Sequence, residues 1–157
     1  TTRLLLANLP RLQESLGPRI FTLDLPSMDG VRFQGSDGTL AQEALNFPRR
    51  YEEEPNASLV KQLLHDSMHF DADPYAGMFQ FIFIDGNHEY SYARRDTENS
   101  FEMLSTETGC LIWHDYGHPE FPELTDYIDS LAVELEIFHV AHTKMAFHPI
   151  GFNVKSD

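Results

Sequence analysis

The sequence has few basic residues, one cysteine and no long hydrophobic run, and each shortage argues against a class of protein. Its 11 Lys and Arg face 25 Asp and Glu, which gives a formal net charge of −14. Such a surface repels phosphate backbones and anionic lipids, so we expect neither nucleic acid nor a membrane as a partner. The single cysteine, Cys110, cannot form an internal disulfide, and we interpret it as a buried structural thiol. The lack of disulfides fits a cytoplasmic protein. No run reaches the length of about 18 apolar residues that a membrane-spanning helix needs.

The apolar residues that are present predict a regular series of helices and strands. With 157 residues, of which 41% are hydrophobic, the chain can form the core of a single domain, 1–157. Helical spacing covers residues 3–16 and then Leu40–Leu45, Tyr90–Leu104 and Pro122–Leu131. Leu59–Leu64 fits either a short helix or a strand, and we favour a strand at Leu63–Leu64. The other strands are predicted at Ile20–Leu23, Phe79–Ile84, Gly109–Trp113, Ile137–Ala141 and Met145–His148. Residues 27–56, rich in Gly, Pro, Asp and Arg, are predicted to be a long loop excursion or insertion.

This alternation of strands and helices predicts an α/β fold with an open, mostly parallel sheet and helices on both faces. Phe79–Ile84 is almost continuously apolar, which is typical of a strand buried on both faces of such a sheet. The last two strands are predicted to form an antiparallel hairpin at one edge. Ligands of these sheets bind beyond the carboxyl ends of the strands. Polar residues stand at those predicted ends, and we expect them to share one edge of the sheet: Asp24, Asp66, Asp85, His88, His114 and Asp115.

Two of these strand ends carry motifs that resemble a known family. Ile84–Tyr90 contains Ile-Asp-Gly, then His88 and Tyr90, with Arg95-Asp96 following, and Gly109–Tyr116 ends in Trp-His-Asp-Tyr. Together they resemble the "IDG-x-H-x-Y" and "HDY" segments of a bacterial family of class I S-adenosylmethionine-dependent methyltransferases. Phe21–Pro26 is similar to that family's second strand, and His65–Ser67 to the end of its third. The resemblance covers most of the chain and implies a Rossmann-like, seven-stranded fold that binds S-adenosylmethionine.

The resemblance also implies roles for particular residues in binding the cofactor. Asp24 would accept hydrogen bonds from the ribose hydroxyls, because a carboxylate can accept both at once. Asp66 would hold the adenine amino group with Ser67 beside it, and Asp85 would lie beneath the methionine end. The family's first strand and glycine-rich turn would precede Thr1, so we expect a partial, N-terminally truncated domain.

The strand-end residues are also candidates for catalysis and for metal binding. His88 and His114 are candidate bases beside Asp85, because histidine exchanges a proton near neutral pH. Asp85, His88, His114 and Asp115 together offer ligands for a divalent ion, with oxygen ligands suiting Mg²⁺ and imidazoles suiting Mn²⁺, Fe²⁺ or Zn²⁺. His118 could join them, although a loop histidine explains it better.

Other aromatic and imidazole side chains admit simpler interpretations. Trp113 and Tyr116 flank the expected site and could shape an acceptor pocket, although core packing explains Trp113 equally well. The three remaining histidines of the final hairpin are expected at its surface or edge: His139, His142 and His148.

Three functions remain open from the sequence. The leading one is methyl transfer to a small-molecule acceptor, with S-adenosylmethionine as cofactor and a divalent metal as a second candidate. The second is a metal-dependent hydrolase that uses the Asp/His cluster. The third is a truncated, non-catalytic methyltransferase-like binding module. The acceptor, the methylated atom and the oligomeric state stay undetermined.

Overall fold

The computed structural model describes residues 2–8, 17–47 and 49–152. Its contacts divide the chain into two compact units. The first unit comprises Thr1–Gly30 and Thr39–Ser67, and the second comprises Val31–Gly38 and Met68–Asp157. The assignment of 1–157 to a single domain stays a prediction.

The first unit contains a two-stranded parallel sheet. Strand β1 (Ile20–Asp24) pairs with β2 (Val60–Leu64) from Ile20 opposite Val60 to Asp24 opposite Leu64. Helix α1 (Thr2–Asn8) precedes β1, and the rest of the helix predicted over residues 3–16 lies outside the described residues. Helix α2 (Asp37–Asn46) begins in the second unit and continues in the first, which confirms a helix inside residues 27–56. The 3₁₀ turns Arg50–Glu53 and Ala57–Leu59 precede β2.

The second unit contains a four-stranded mixed sheet in the order β3-β4-β6-β5. Its elements are β3 (Phe81–Ile84), α3 (Tyr90–Met103), β4 (Gly109–Trp113), α4 (Pro122–Leu131), β5 (Phe138–His139) and β6 (Ala146–Ile150). Short 3₁₀ turns at Ser67–His69 and Asp73–Tyr75 precede β3. Strands β3 and β4 are parallel, whereas β6 pairs antiparallel with both β4 and β5. The parallel pairings and the hairpin at the edge are therefore confirmed, with β5 shorter than predicted.

One feature of β3 differs from the prediction. The strand was expected to be buried on both faces, yet Phe81 is 43% exposed and the other three residues are only half-buried. The strand is more exposed than predicted because it lies at one end of the sheet that the described residues form. An apolar run alone does not distinguish such a strand from a central one.

The core of the second unit lies against β4. Gly109, Leu111 and Trp113 alternate as the buried residues of this strand, as expected when one face of a strand packs on helices. Leu124 and Ile128 of α4 pack into the same cluster. Trp113 is fully buried, so core packing and not an acceptor pocket explains it.

Cys110, on the other face of β4, is half-buried instead of buried. Burial raises the pKa of its thiol, which disfavours the reactive thiolate. Cys110 is therefore less buried than predicted, and its structural role stays a prediction.

Among the described residues, no helix combines the length and apolar character that crossing a bilayer requires.

Candidate functional site

The carboxyl ends of β3 and β4 place four of the predicted site residues together. Asp85 follows the last residue of β3, and His114 and Asp115 follow the last residue of β4. The backbone N–H of His114 donates to the carbonyl oxygen of Ile84 at 3.0 Å, which extends the parallel pairing to the strand tips. These side chains therefore start from neighbouring positions at one edge of the sheet.

Direct contacts join these side chains into one cluster. His114 Nδ1 lies 2.7 Å from Asp115 Oδ2 and 3.4 Å from Asp85 Oδ1. His88 Nε2 lies 3.1 Å from the same Asp115 Oδ2. Asp115 thus contacts both imidazoles through one oxygen. The four residues predicted from the motifs meet within the second unit, as expected, and we call them the Asp/His cluster.

His88 is held on three sides. Its Nδ1 lies 2.9 Å from each carboxylate oxygen of Asp37, and its backbone N–H donates to Asp37 Oδ2 at 2.9 Å. The ring of Phe121 stacks on the imidazole with centroids 4.0 Å apart and planes 13° apart. His88 is only 8% exposed. Its orientation is therefore fixed by packing and hydrogen bonding together.

Part of the Asp/His cluster fits a divalent cation. Asp85, His88 and Asp115 can each offer one ligand atom, and these three atoms lie within 4.8 Å of one another. His88 Nε2 is buried and makes no hydrogen bond, since its approach to Asp115 Oδ2 is close but lacks hydrogen-bond geometry. A buried polar atom without a partner is unfavourable, and a cation would satisfy it. Two carboxylates and an imidazole suit Mg²⁺, Mn²⁺ or Zn²⁺.

His114 differs from the other three residues of the cluster. Its Nδ1 contacts the two carboxylates instead of joining the group of ligand atoms. Its side chain is 37% exposed, against 10% for His88. His114 is therefore the imidazole of the pair that a molecule from solvent reaches more easily.

The predicted cofactor residues other than Asp85 belong to the first unit. Asp24 ends β1, where its Oδ2 accepts from Gln62 Nε2 at 2.9 Å and lies 3.4 Å from Arg49 Nη1. Asp66 and Ser67 follow β2, and both are half-buried. Their placement at strand ends agrees with the prediction, while their roles stay predictions.

The remaining candidate residues have local partners. Tyr116 donates to Asp129 Oδ1 at 2.8 Å, and this bond raises the pKa of the Tyr116 hydroxyl. His118 Nδ1 accepts from the backbone N–H of Glu120, as a loop histidine does.

The three histidines of the final hairpin also lie outside the Asp/His cluster. His139 and His142 are exposed, and His148 is half-buried with its Nδ1 2.8 Å from the carbonyl oxygen of Glu136. The prediction of a surface or edge position is confirmed for His139 and His142, whereas His148 lies in β6, which is paired with a strand on each side.

Sequence reasoning missed two residues that hold the site. Asp37 lies in the segment treated as a loop excursion, 51 positions before His88, and no local pattern links the two. Phe121 precedes Pro122 at the start of α4 and looks like any core aromatic. The available signal at Asp37 was only its place before a short helix, where acids are common.

Comparison with known proteins identifies the family. A family model described as a methyltransferase domain matches residues 1–116, which includes both strand-end motifs. The chain belongs to this methyltransferase family. No curated protein matches it.

Solved structures match the methyltransferase chain as well. The structure of the O-methyltransferase NovP is 14% identical, with a TM-score of 0.55. The match covers 83% of this chain and 59% of that one, so this chain spans well under two thirds of its solved relative. At this identity the likeness establishes the Rossmann-like α/β fold alone.

Proposed function

We propose that this methyltransferase transfers a methyl group from S-adenosylmethionine to a hydroxyl of a small molecule at the Asp/His cluster. The observation that carries the proposal is the meeting of Asp85, His88, His114 and Asp115 beyond two parallel strands. Membership of the family supports methyl transfer, and the likeness to an O-methyltransferase supports a hydroxyl as acceptor. The acidic surface agrees with a small molecule and not a nucleic acid as substrate.

The chemistry requires a positioned hydroxyl that loses its proton as the methyl group arrives. S-adenosylmethionine, when bound, supplies the methyl group as an electrophile on sulfur, and a divalent cation supplies charge that favours the deprotonated hydroxyl. His114 is suited to accept the proton, because an Nδ1 proton donated to Asp115 leaves the lone pair on Nε2. Asp85, His88 and Asp115 would hold the cation.

The cofactor residues are proposed from the resemblance and supported by their positions at strand ends. Asp24 would bind the ribose hydroxyls, and its contacts with Gln62 and Arg49 fix the orientation of its carboxylate. Asp66 and Ser67 would bind the adenine, while Asp85 would lie near the transferred methyl group.

Family membership favours methyl transfer over metal-dependent hydrolysis, since the same Asp/His cluster would suit either reaction. The alternative function, a non-catalytic binding module, is tested by a binding experiment. Such a module would bind neither the cofactor product nor a divalent ion at the cluster.

Calorimetry on the purified chain tests the proposal with two probes, S-adenosylhomocysteine and Mn²⁺. We expect both to bind the wild type, and we expect Asp85→Asn to weaken Mn²⁺ binding at least tenfold, because it removes a charged ligand. Asp126→Asn is the matched control, since Asp126 is an exposed carboxylate of α4 outside the Asp/His cluster.

The possible results separate the parts of the proposal. A wild type that binds no S-adenosylhomocysteine contradicts methyl transfer by this chain. Equal Mn²⁺ affinity in wild type and Asp85→Asn removes Asp85 from the cation site. A loss of affinity in Asp126→Asn as large as in Asp85→Asn would mean that the effect is general electrostatics.

A further inference from the structure

Residues Val31–Gly38, which we call the strap, are hydrogen-bonded to three other residues of the second unit. The backbone N–H of Ser36 donates to Glu120 Oε1 at 2.7 Å, and Gln34 Nε2 donates to Glu123 Oε2 at 3.2 Å. The carbonyl oxygen of Arg32 accepts from Asn87 Nδ2, next to His88. These contacts place the strap within the second unit and bring Asp37 to His88.

Asp37 is a buried acid whose carboxylate is hydrogen-bonded to His88. The carboxylate is 6% exposed and accepts from the backbone N–H of His88 through Oδ2. Both its oxygens lie 2.9 Å from His88 Nδ1. Asp37 also stands in the first turn of α2, where the helix dipole favours a negative charge. An ionised carboxylate only accepts hydrogen bonds, so His88 Nδ1 must carry the ring proton.

The position of this proton determines whether His88 Nε2 faces the Asp/His cluster with a lone pair or with a proton. With the proton on Nδ1, a neutral imidazole presents the lone pair of Nε2. That lone pair lies 3.1 Å from Asp115 Oδ2 in a buried position without a hydrogen bond. Two electron-pair donors facing each other repel unless a proton or a cation lies beside both, and the missing hydrogen bond of His88 Nε2 favours the cation. Two ligand atoms of one divalent ion are typically about 3 Å apart, which the 3.1 Å separation of Nε2 and Oδ2 matches.

We infer that Asp37 is a positioning residue that holds His88 with its proton on Nδ1, so that Nε2 is directed to a divalent cation shared with Asp85 and Asp115. The inference rests on the cation site of the proposed function. It adds Asp37 of the strap, which is hydrogen-bonded to the proposed ligand His88 and would not contact the ion itself. Carboxylates that orient a metal-binding histidine typically change metal affinity about 10–100-fold.

The first test reads the tautomer directly, without any cation. Long-range ¹H–¹⁵N NMR spectra of the chain labelled in histidine distinguish Nδ1–H from Nε2–H rings, and a His88→Gln sample assigns the signal. We expect wild-type His88 to carry its proton on Nδ1 at pH 8. In Asp37→Asn the amide group can donate to Nδ1, so we expect the proton to move to Nε2. A wild-type Nε2–H tautomer would overturn the inference, whether or not the variant folds.

The second test measures Mn²⁺ affinity by calorimetry on the same samples. We expect Asp37→Asn to bind at least tenfold more weakly than wild type. Ser36→Ala is the matched control, because it removes a strap hydroxyl 3.3 Å from Glu120 and touches neither His88 nor the cluster. We expect its tautomer and affinity to equal those of wild type.

The outcomes distinguish the inference from the function on which it rests. A folded Asp37→Asn with wild-type affinity overturns the positioning role, even if Mn²⁺ binds. A Ser36→Ala protein that loses as much Mn²⁺ affinity as Asp37→Asn also overturns it. Loss of a hydrogen bond between the strap and Glu120 would then be enough to explain the weaker binding. A wild type that binds no Mn²⁺ overturns the cation site, while the tautomer spectra still decide whether Asp37 fixes the ring of His88.

Discussion

The hydrogen bond of the Trp113 indole N–H can be removed to test how the core stabilises the strand end that carries part of the Asp/His cluster. Trp113 Nε1 donates to Thr97 Oγ1 at 2.9 Å, and the two residues are 0% and 1% exposed. Thr97→Val keeps the side-chain size and removes the acceptor. A buried donor left without a partner costs about 1–3 kcal/mol. The Thr97 hydroxyl itself donates to the carbonyl oxygen of Ala93, a bond within α3 that contributes less.

The expected loss is measurable by urea unfolding. Trp113 is the chain's one tryptophan, so its fluorescence reports on this site alone. A loss of about 2 kcal/mol, divided by a slope of about 2 kcal/mol/M, lowers the unfolding midpoint by about 1 M. Because Trp113 lies two residues before Asp115, a proposed cation ligand, we also expect weaker Mn²⁺ binding. Thr97→Ser is the control, since it keeps the oxygen and loses only a methyl group, at about 1 kcal/mol.

Two results would refute this reasoning. If Thr97→Val unfolds within about 0.3 kcal/mol of wild type, the indole N–H does not depend on this acceptor. If Thr97→Ser is the less stable variant, packing of the methyl group outweighs the hydrogen bond. In either case the end of β4 would be held by backbone pairing and apolar contacts, without a contribution from the indole hydrogen bond.

Two further predictions concern the segment after β4. Asp115 has a φ of 57°, so Asp115→Ala should be less stable than Asp115→Gly by about 1–2 kcal/mol in thermal or urea unfolding, because alanine avoids this conformation. The hydrogen bond to Asp129 raises the pKa of Tyr116, so its ionisation, followed at 295 nm as the difference from Tyr116→Phe, should occur above the ordinary pH of about 10. The stability that this bond contributes should be complete below that pH and be lost as pH rises through the raised pKa, and Asp129→Ala should return the ionisation towards its ordinary range.

The parts of the fold that the sequence predicted are those with strong local patterns. Phe81–Ile84 and Gly109–Trp113 are short apolar runs ended by polar residues, and both are strands. Pro122–Leu131 begins at a proline in a first-turn position and was predicted to the residue. Parallel strands end at one edge, so the meeting of the residues after β3 and β4 followed from their order.

The parts that were missed depend on contacts distant in sequence. The burial of Phe81 depends on which strands lie beside it, and no local pattern specifies that. The pairing of Asp37 with His88 depends on the path of the strap, which a segment rich in Gly, Pro and Asp does not reveal. The greater burial of His88 likewise depends on a residue distant in sequence, because the ring of Phe121 stacks on its imidazole.

The residue type at Asp115 follows from two requirements that act together. The chain turns sharply after β4, with the N–H of His118 donating to the carbonyl oxygen of Asp115 and the N–H of Tyr116 donating to that of Lys144. That turn needs a left-handed conformation at Asp115, which glycine, asparagine and aspartate adopt more readily than other residues. The Asp/His cluster needs a carboxylate there, because both imidazoles approach Asp115 Oδ2. Aspartate alone meets both conditions, so Asp115→Asn should preserve the turn and remove the charge, whereas Asp115→Glu should keep the charge and strain the turn.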